Sequence, residues 1–229
     1  MTWAGTHRPS PPVAKATTPW DAARSPMSYD RIPKDFPVLL GEGMLLRELA
    51  EEDLPAWFAR LSDVEAAALA GDPVAASIND VIAALEYHRN AFRVTEGIRW
   101  AIVPLEVGAS VGSIGFAKLD QAKRSAELGY AIGRQHWDRG FATRAGRLAL
   151  DYGFKTLDFK RVEALVMTSN AASIRVLQKL GFARRGILEA YRMVNGIPWD
   201  FILYSMSSDS REAEPSRGSM IAGEAFFSA

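Results

Sequence analysis

A β-branched and aromatic run ends at Gly133, and an apolar series at helical spacing begins with Phe141 and continues through Ala145, Leu148, Ala149 and Tyr152. Between them stands a short polar stretch that closes in Trp137-Asp138-Arg139-Gly140 and continues into Phe141-Ala142-Thr143. The spacing predicts a strand feeding a helix whose first turn holds a glycine. The first amides of a helix have no intrahelical acceptor and can donate to phosphate oxygens, and a residue without Cβ lets such a ligand come close. Arg134, Arg139 and Arg144 add positive charge around that mouth. The chemistry indicated is binding of a phosphorylated cofactor.

Other chemistries find little support. The chain has no cysteine, which removes disulfides, thiolate metal sites and a cysteine nucleophile. His7, His88 and His136 lack metal-ligand spacing, so no metal is expected. Gly108-Ala109-Ser110-Val111-Gly112 matches the Gly-x-Ser-x-Gly elbow of serine hydrolases, but the following Ser113-Ile114-Gly115-Phe116-Ala117 reads as a strand where that elbow needs a helix. There is no Walker loop and no Gly-x-Gly-x-x-Gly. Lysine plus arginine equals aspartate plus glutamate at 27 each, which gives no reason to expect nucleic acid as a partner. The N-terminus has no apolar leader and no later run approaches a membrane span, so a soluble, cytoplasmic protein with no membrane partner is expected.

The elements that must position these residues read as follows. At 229 residues and 48% hydrophobic content, the chain fits one domain with extensions. Residues 1–36 contain Pro9, Pro11, Pro12, Pro19, Pro26 and Pro33 and are expected to form an irregular arm, pinned at Trp3 or Trp20 or left unanchored. Residues 37–207 form the expected domain and 208–229 a tail. Within the domain the pattern gives a strand at 43–48, helices at 52–61 and 78–93, and strands at 98–104, 110–119 and 126–133. A helix at 140–155, a strand at 161–167, a helix at 171–180 and strands at 183–192 and 197–206 complete it. Helices between hairpins and a late βαβ unit argue for a mixed α/β (α+β) domain with a mostly antiparallel sheet.

With these residues in this order, the chain resembles the GNAT superfamily of N-acyltransferases, in the branch of the ribosomal-protein N-terminal acetyltransferases. The resemblance spans about Leu39 to Met206 and rests on several pieces. They are Gly43-Met44-Leu45-Leu46-Arg47, Glu51-Glu52-Asp53, Glu127-Leu128-Gly129-Tyr130, Trp137 to Ala145, Asn170 to Phe182, and Asn195-Gly196-Ile197-Pro198-Trp199-Asp200. It implies the GNAT fold, a twisted sheet flanked by helices whose central strands, ending at Ile132 and running through Val162 to Val166, splay apart. Acetyl-CoA would lie in that gap as co-substrate, its pantetheine arm against the backbone of Tyr130, Ala131 and Ile132. Its pyrophosphate would sit on the amides of Arg139, Gly140, Phe141, Ala142 and Thr143, with Arg134 nearby. Asn170 and Ser173 would contact it from the other side, and Arg175 or Lys179 would meet the adenosine phosphate. Trp137 at the head of the phosphate loop is common in this branch, whereas Arg144 replaces a glutamate usual there.

The activity implied is transfer of an acetyl group to a primary amine by direct attack in a ternary complex. The acceptor is a protein N-terminal α-amine or a small amine; a homodimer is left open. A free amine is mostly protonated at neutral pH and must lose a proton. Glu127 is the candidate base, against a reading as a solvated strand-end glutamate. Many superfamily members use a tyrosine four residues after the alanine or serine of Asn-x-x-Ala/Ser to protonate the departing thiolate; here Leu177 stands there. Ser173 is the substitute the branch suggests, against a role as helix cap. Trp199 and Asp200 are expected near the acceptor entrance. The rival reading is a non-catalytic acyl-CoA-binding module, for which Leu177 is the best argument.

Overall fold

The computed structural model describes residues 29–70, 74–194 and 197–209. Trp3, Trp20, His7, Asn195, Gly196 and most of the tail lie outside them. The strands are β1 (Leu39–Gly41), β2 (Met44–Glu48), β3 (Ile98–Pro104), β4 (Gly112–Asp120), β5 (Ser125–Ile132), β6 (Arg161–Met167), β7 (Ala183–Val194) and β8 (Ile197–Ser207). The helices are α1 (Leu54–Leu61), α2 (Val64–Ala70), α3 (Ile78–Arg93), α4 (Phe141–Lys155) and α5 (Ala171–Lys179). The expected strand at 43–48 is one arm of a hairpin: Glu42 and Gly43, both at positive φ (52° and 69°), join β1 to β2, as a two-residue turn between twisted strands requires. The α2 helix was not anticipated. Its Val64-Glu-Ala-Ala-Ala-Leu-Ala sequence carries almost no apolar period, yet the Asp63 carboxylate accepts from the amides of Glu65 and Ala66 (3.1 and 3.0 Å) and caps it.

The strands form one sheet in the order β1-β2-β3-β4-β5-β6-β8-β7. Every neighbouring pair is antiparallel except β5 and β6. That parallel pair holds together only at Ser125–Arg161, Ala126–Val162 and Glu127–Glu163, and beyond Glu127 the two strands part. The separation has a physical cause on each side. β6 is paired with β8 along its whole length, from Arg161–Ser207 to Met167–Phe201, while β5 stays registered with β4 as far as Ile132–Gly112. The two halves of the sheet thus diverge from a common root.

Alternation along β5 sends Ala126 and Leu128 into the main core with α4 and α5, and Glu127 to the opposite face. The main core includes Trp100, Ile114, Phe116, Phe141, Ala145, Ala149, Val162 and Leu177, all almost wholly buried. A smaller core under α1 and α3 joins Trp57, Val81 and Leu85 to Ala101 and Val103 on the other face. The main core also contains Tyr29 and Ile32, 1% and 7% exposed, upstream of the expected domain start. The Tyr29 hydroxyl donates to the Leu157 carbonyl (3.0 Å), and its ring meets Phe159 edge-on at 5.2 Å.

Candidate active site

The gap between β5 and β6 opens at one end on the N-terminus of α4. Gly140 precedes that helix at φ 75°, a left-handed conformation that costs a residue with Cβ energy, and no atom lies within 4 Å of where its Cβ would be. The first amide bonded within the helix is that of Arg144, which donates to the Gly140 carbonyl (3.1 Å), so the N–H groups of Phe141, Ala142 and Thr143 have no intrahelical acceptor. A groove of about 410 Å³ runs from these amides along Tyr130, Ala131 and Ile132 to Asn170 and Ser173, with Arg175 and Lys179 on its far bank. The residues present therefore fit an anionic, elongated ligand.

Backbone polarity along β5 sharpens this. The Gly133 amide donates to the carbonyl of Val111, the residue just ahead of β4, so by antiparallel alternation Ala131 also directs its backbone groups to β4, whereas Leu128, Tyr130 and Ile132 direct theirs into the gap. The Ile132 carbonyl is met there by the Trp137 indole N–H at 2.8 Å. Tyr130 thus offers the open hydrogen-bonding edge.

The arginines of the mouth divide. Arg134 is held by Asp63 (2.7 Å through its second nitrogen) and Glu65 (2.6 Å), which fastens the start of α2 to the turn after β5. This contact and the amides of α2 hold the Asp63 carboxyl down to about 2 and raise the Arg134 guanidinium further. Arg144 is paired with Glu106 (2.6 Å), and Arg139 lies over the Phe141 ring at 4.7 Å. Among the described residues Arg175 and Lys179 have no carboxylate partner. His136 also lines the groove; its Nδ1 is buried with no hydrogen-bond partner, and burial, followed by the charge of Arg139, pushes its pKa down.

A second cavity of about 100 Å³ lies at the root of the split and shares Tyr130, Asn170 and Ser173 with the groove. Glu127 and Arg99 line it, together with Leu165, Leu177, Arg192 and Phe201. Glu127 sits at the last rung of the β5–β6 ladder, and its Oε2 accepts from Lys118 Nζ at 2.8 Å. Asn170 organises the wall: its Oδ1 accepts from the Ser173 amide (3.0 Å), capping α5, while its Nδ2 donates to the Leu69 carbonyl of α2 (2.8 Å). The cap of α5 is therefore Asn170, and the Ser173 hydroxyl is bonded elsewhere, 2.7 Å from the Tyr130 phenol oxygen. Leu177 is buried at 1%. Trp199 and Asp200 line neither cavity; the Asp200 carboxylate accepts from the Ala190 amide (2.8 Å), fixing a bulge in β7.

Sequence reasoning missed the Tyr130 side chain, which it used only for its backbone, and Arg192, which reaches the second cavity over the Phe201 ring at 5.1 Å. The Tyr130 phenol had a partial signal in its placement between a strand glycine and a small residue. Arg192 had none, because the antiparallel pairing of β7 with β8 decides its neighbours.

Comparison with known proteins bears on the same region. The model of the acetyltransferase (GNAT) domain matches residues 44–183. The uncharacterized N-acetyltransferase YoaA of Bacillus subtilis (strain 168) is 36% identical over 171 residues, covering 75% of this chain and 97% of that protein. The spermidine N(1)-acetyltransferase of Escherichia coli (strain K12) is 33% identical over 89 residues, covering 39% of this chain and 48% of the enzyme. Among solved structures, Mycobacterium smegmatis RimJ in complex with CoA-disulfide superposes with a TM-score of 0.65 at 26% identity, over 76% of this chain and 86% of RimJ. Among the described residues no helix is long and apolar enough to cross a membrane.

Proposed function

Since the chain belongs to the GNAT acetyltransferase family, we propose that it transfers the acetyl group of acetyl-CoA to a primary amine by direct attack within a ternary complex. The observation that carries this reading is the continuity of the split. The gap that opens beyond Glu127–Glu163 leads on one side to the free amides of α4 and on the other to a cavity that ends on the Glu127 carboxylate. A thioester lying in the gap would meet an amine entering from the opposite face.

The pyrophosphate rests on the amides of Phe141, Ala142 and Thr143, which the open Gly140 lets it approach. The pantetheine arm pairs with Tyr130, and Arg175 and Lys179 supply charge for the adenosine phosphate. Most of the acceleration comes from holding the amine against the carbonyl carbon in attack geometry. Glu127 removes the proton of the incoming ammonium directly or through a water, using Oε1, since Lys118 occupies Oε2. Ser173 meets the sulfur as the C–S bond breaks.

The acceptor is a protein N-terminal α-amine or a small amine. The test is acetyl-CoA consumption by the purified protein over peptides of varied first residue and a panel of small amines, with the acetylated product identified by mass. Turnover of one class is expected. CoA binding without acetylation of any member would replace the reading with a non-catalytic acyl-CoA-binding module.

A further inference from the structure

Tyr130 on β5 and Ser173 on α5 close the floor where the groove meets the second cavity. The phenol oxygen of Tyr130 lies 2.7 Å from Ser173 Oγ and 3.2 Å from the Ser173 carbonyl oxygen. A phenol carries one proton, so it can serve one of these acceptors fully at a time. If it bonds the carbonyl, the serine O–H turns back to the phenol oxygen. If it bonds Oγ, the single serine proton is released toward the cavity. The serine has no competing duty at the helix start, because Asn170 caps α5 through the Ser173 amide.

We propose that Tyr130 is a positioning residue that donates its phenolic proton to Ser173 Oγ and thereby aims the serine O–H at the thioester sulfur. The pair would stabilise by a hydrogen bond the departing thiolate that a tyrosine at the position of Leu177 protonates in many members of this superfamily. The inference rests on the acetyl-transfer reading above. In the step itself the amine nitrogen forms the C–N bond, the C–S bond breaks, and its electron pair passes to sulfur. The amine proton leaves to Glu127 or solvent, and the CoA thiolate departs with the serine hydrogen bond across it. No proton is transferred along the pair, so Tyr130 remains a neutral phenol. Its surroundings agree with that: burial pushes its pKa up to about 12, the Ser173 hydrogen bond pulling it partly back.

The experiment is a double-mutant cycle of Tyr130→Phe and Ser173→Ala in the full chain, assayed with a confirmed acceptor. Tyr130→Phe keeps the ring and should lower kcat by about tenfold, the scale of one well-placed hydrogen bond, with both KM values within about twofold of wild type. Ser173→Ala should cost at least as much, and the double variant should equal Ser173→Ala alone, because Tyr130 acts only through the serine. Thermal melting checks that each variant folds. Multiplying losses, a Tyr130→Phe effect confined to KM or melting temperature, or no effect at all would each overturn the proposal. A wild-type protein that binds CoA but acetylates nothing would overturn the underlying reading, and this inference with it.

Discussion

The indole N–H of Trp137 donates to the carbonyl of Ile132 across 2.8 Å, tying the last residue of β5 to the turn that delivers Gly140 to the head of α4. Strand edge and helix terminus are thus fixed relative to each other by one side chain. A ligand spanning both finds them already spaced, which lowers the ordering cost of binding.

Gly140 is the position where that arrangement admits a substitution with two separable effects. Its φ of 75° makes any residue with Cβ cost about 1–2 kcal/mol, while the empty space around it means that no clash adds to the strain. Gly140→Ala should therefore lose stability by that amount. Gly140→Val should in addition weaken acetyl-CoA binding by at least about tenfold, since its branched side chain would stand where a phosphate approaches. Calorimetric titration of the folded variants is the check, and unchanged affinity in Gly140→Val would refute the cradle.

Glu127→Gln keeps shape and removes charge at the root of the split. It should lower kcat by about 10²-fold with acetyl-CoA affinity nearly unchanged. The pH–rate profile with one acceptor decides the role. An unaltered acidic limb at wild-type kcat would make Glu127 a structural partner of Lys118 and assign deprotonation to solvent.

His88, half-buried and stacked on Trp57 at 5.8 Å, has its pKa held well below the ordinary 6.5, by burial first and then by the charges of Arg99 and Arg60. The folded protein thus binds this proton less readily than the unfolded chain. The sign follows: the contribution is intact above about pH 6.5 and is lost as pH falls from there toward the folded value. The urea midpoint should decline between about pH 6.5 and 5, and His88→Phe should flatten that decline. His136, depressed for the same first reason, contributes in the same direction. An identical pH slope in His88→Phe would discard the assignment.

A fragment of residues 37–207 lacks Tyr29 and Ile32, whose side chains lie in the main core. Removing them should cost about 3–6 kcal/mol, from the usual 1.5–3 for each fully buried apolar side chain. It also strips the Tyr29 hydroxyl from the Leu157 carbonyl. A fragment of residues 29–209 should match the full chain in urea unfolding. Equal stability of the two fragments would show that Tyr29 and Ile32 contribute no net stability.

Where the signal was periodic, the sequence read well. The α3 span of 78–93 and the β3 and β6 spans follow from apolar spacing alone, since each element buries one face against a fixed layer. The α2 helix and β1 escaped because alanines give no face and three residues give no period. The glycine at the head of α4 was legible for a local reason, being the residue that suits a left-handed entry.

What the sequence determined by itself was the order of the longer elements, the family and the glycine at the head of α4, because each is written in runs of residues near one another in the chain. The tertiary structure alone decided that Asn170 rather than Ser173 caps α5, that Tyr130 meets Ser173, and that Arg134 is spent on Asp63. Tyr130 and Ser173 stand 43 residues apart, and Arg134 and Asp63 stand 71 apart. No local period encodes such pairs. They follow from the crossing of the sheet by its helices, which sets which hydroxyl, amide or charge lies within reach of which partner.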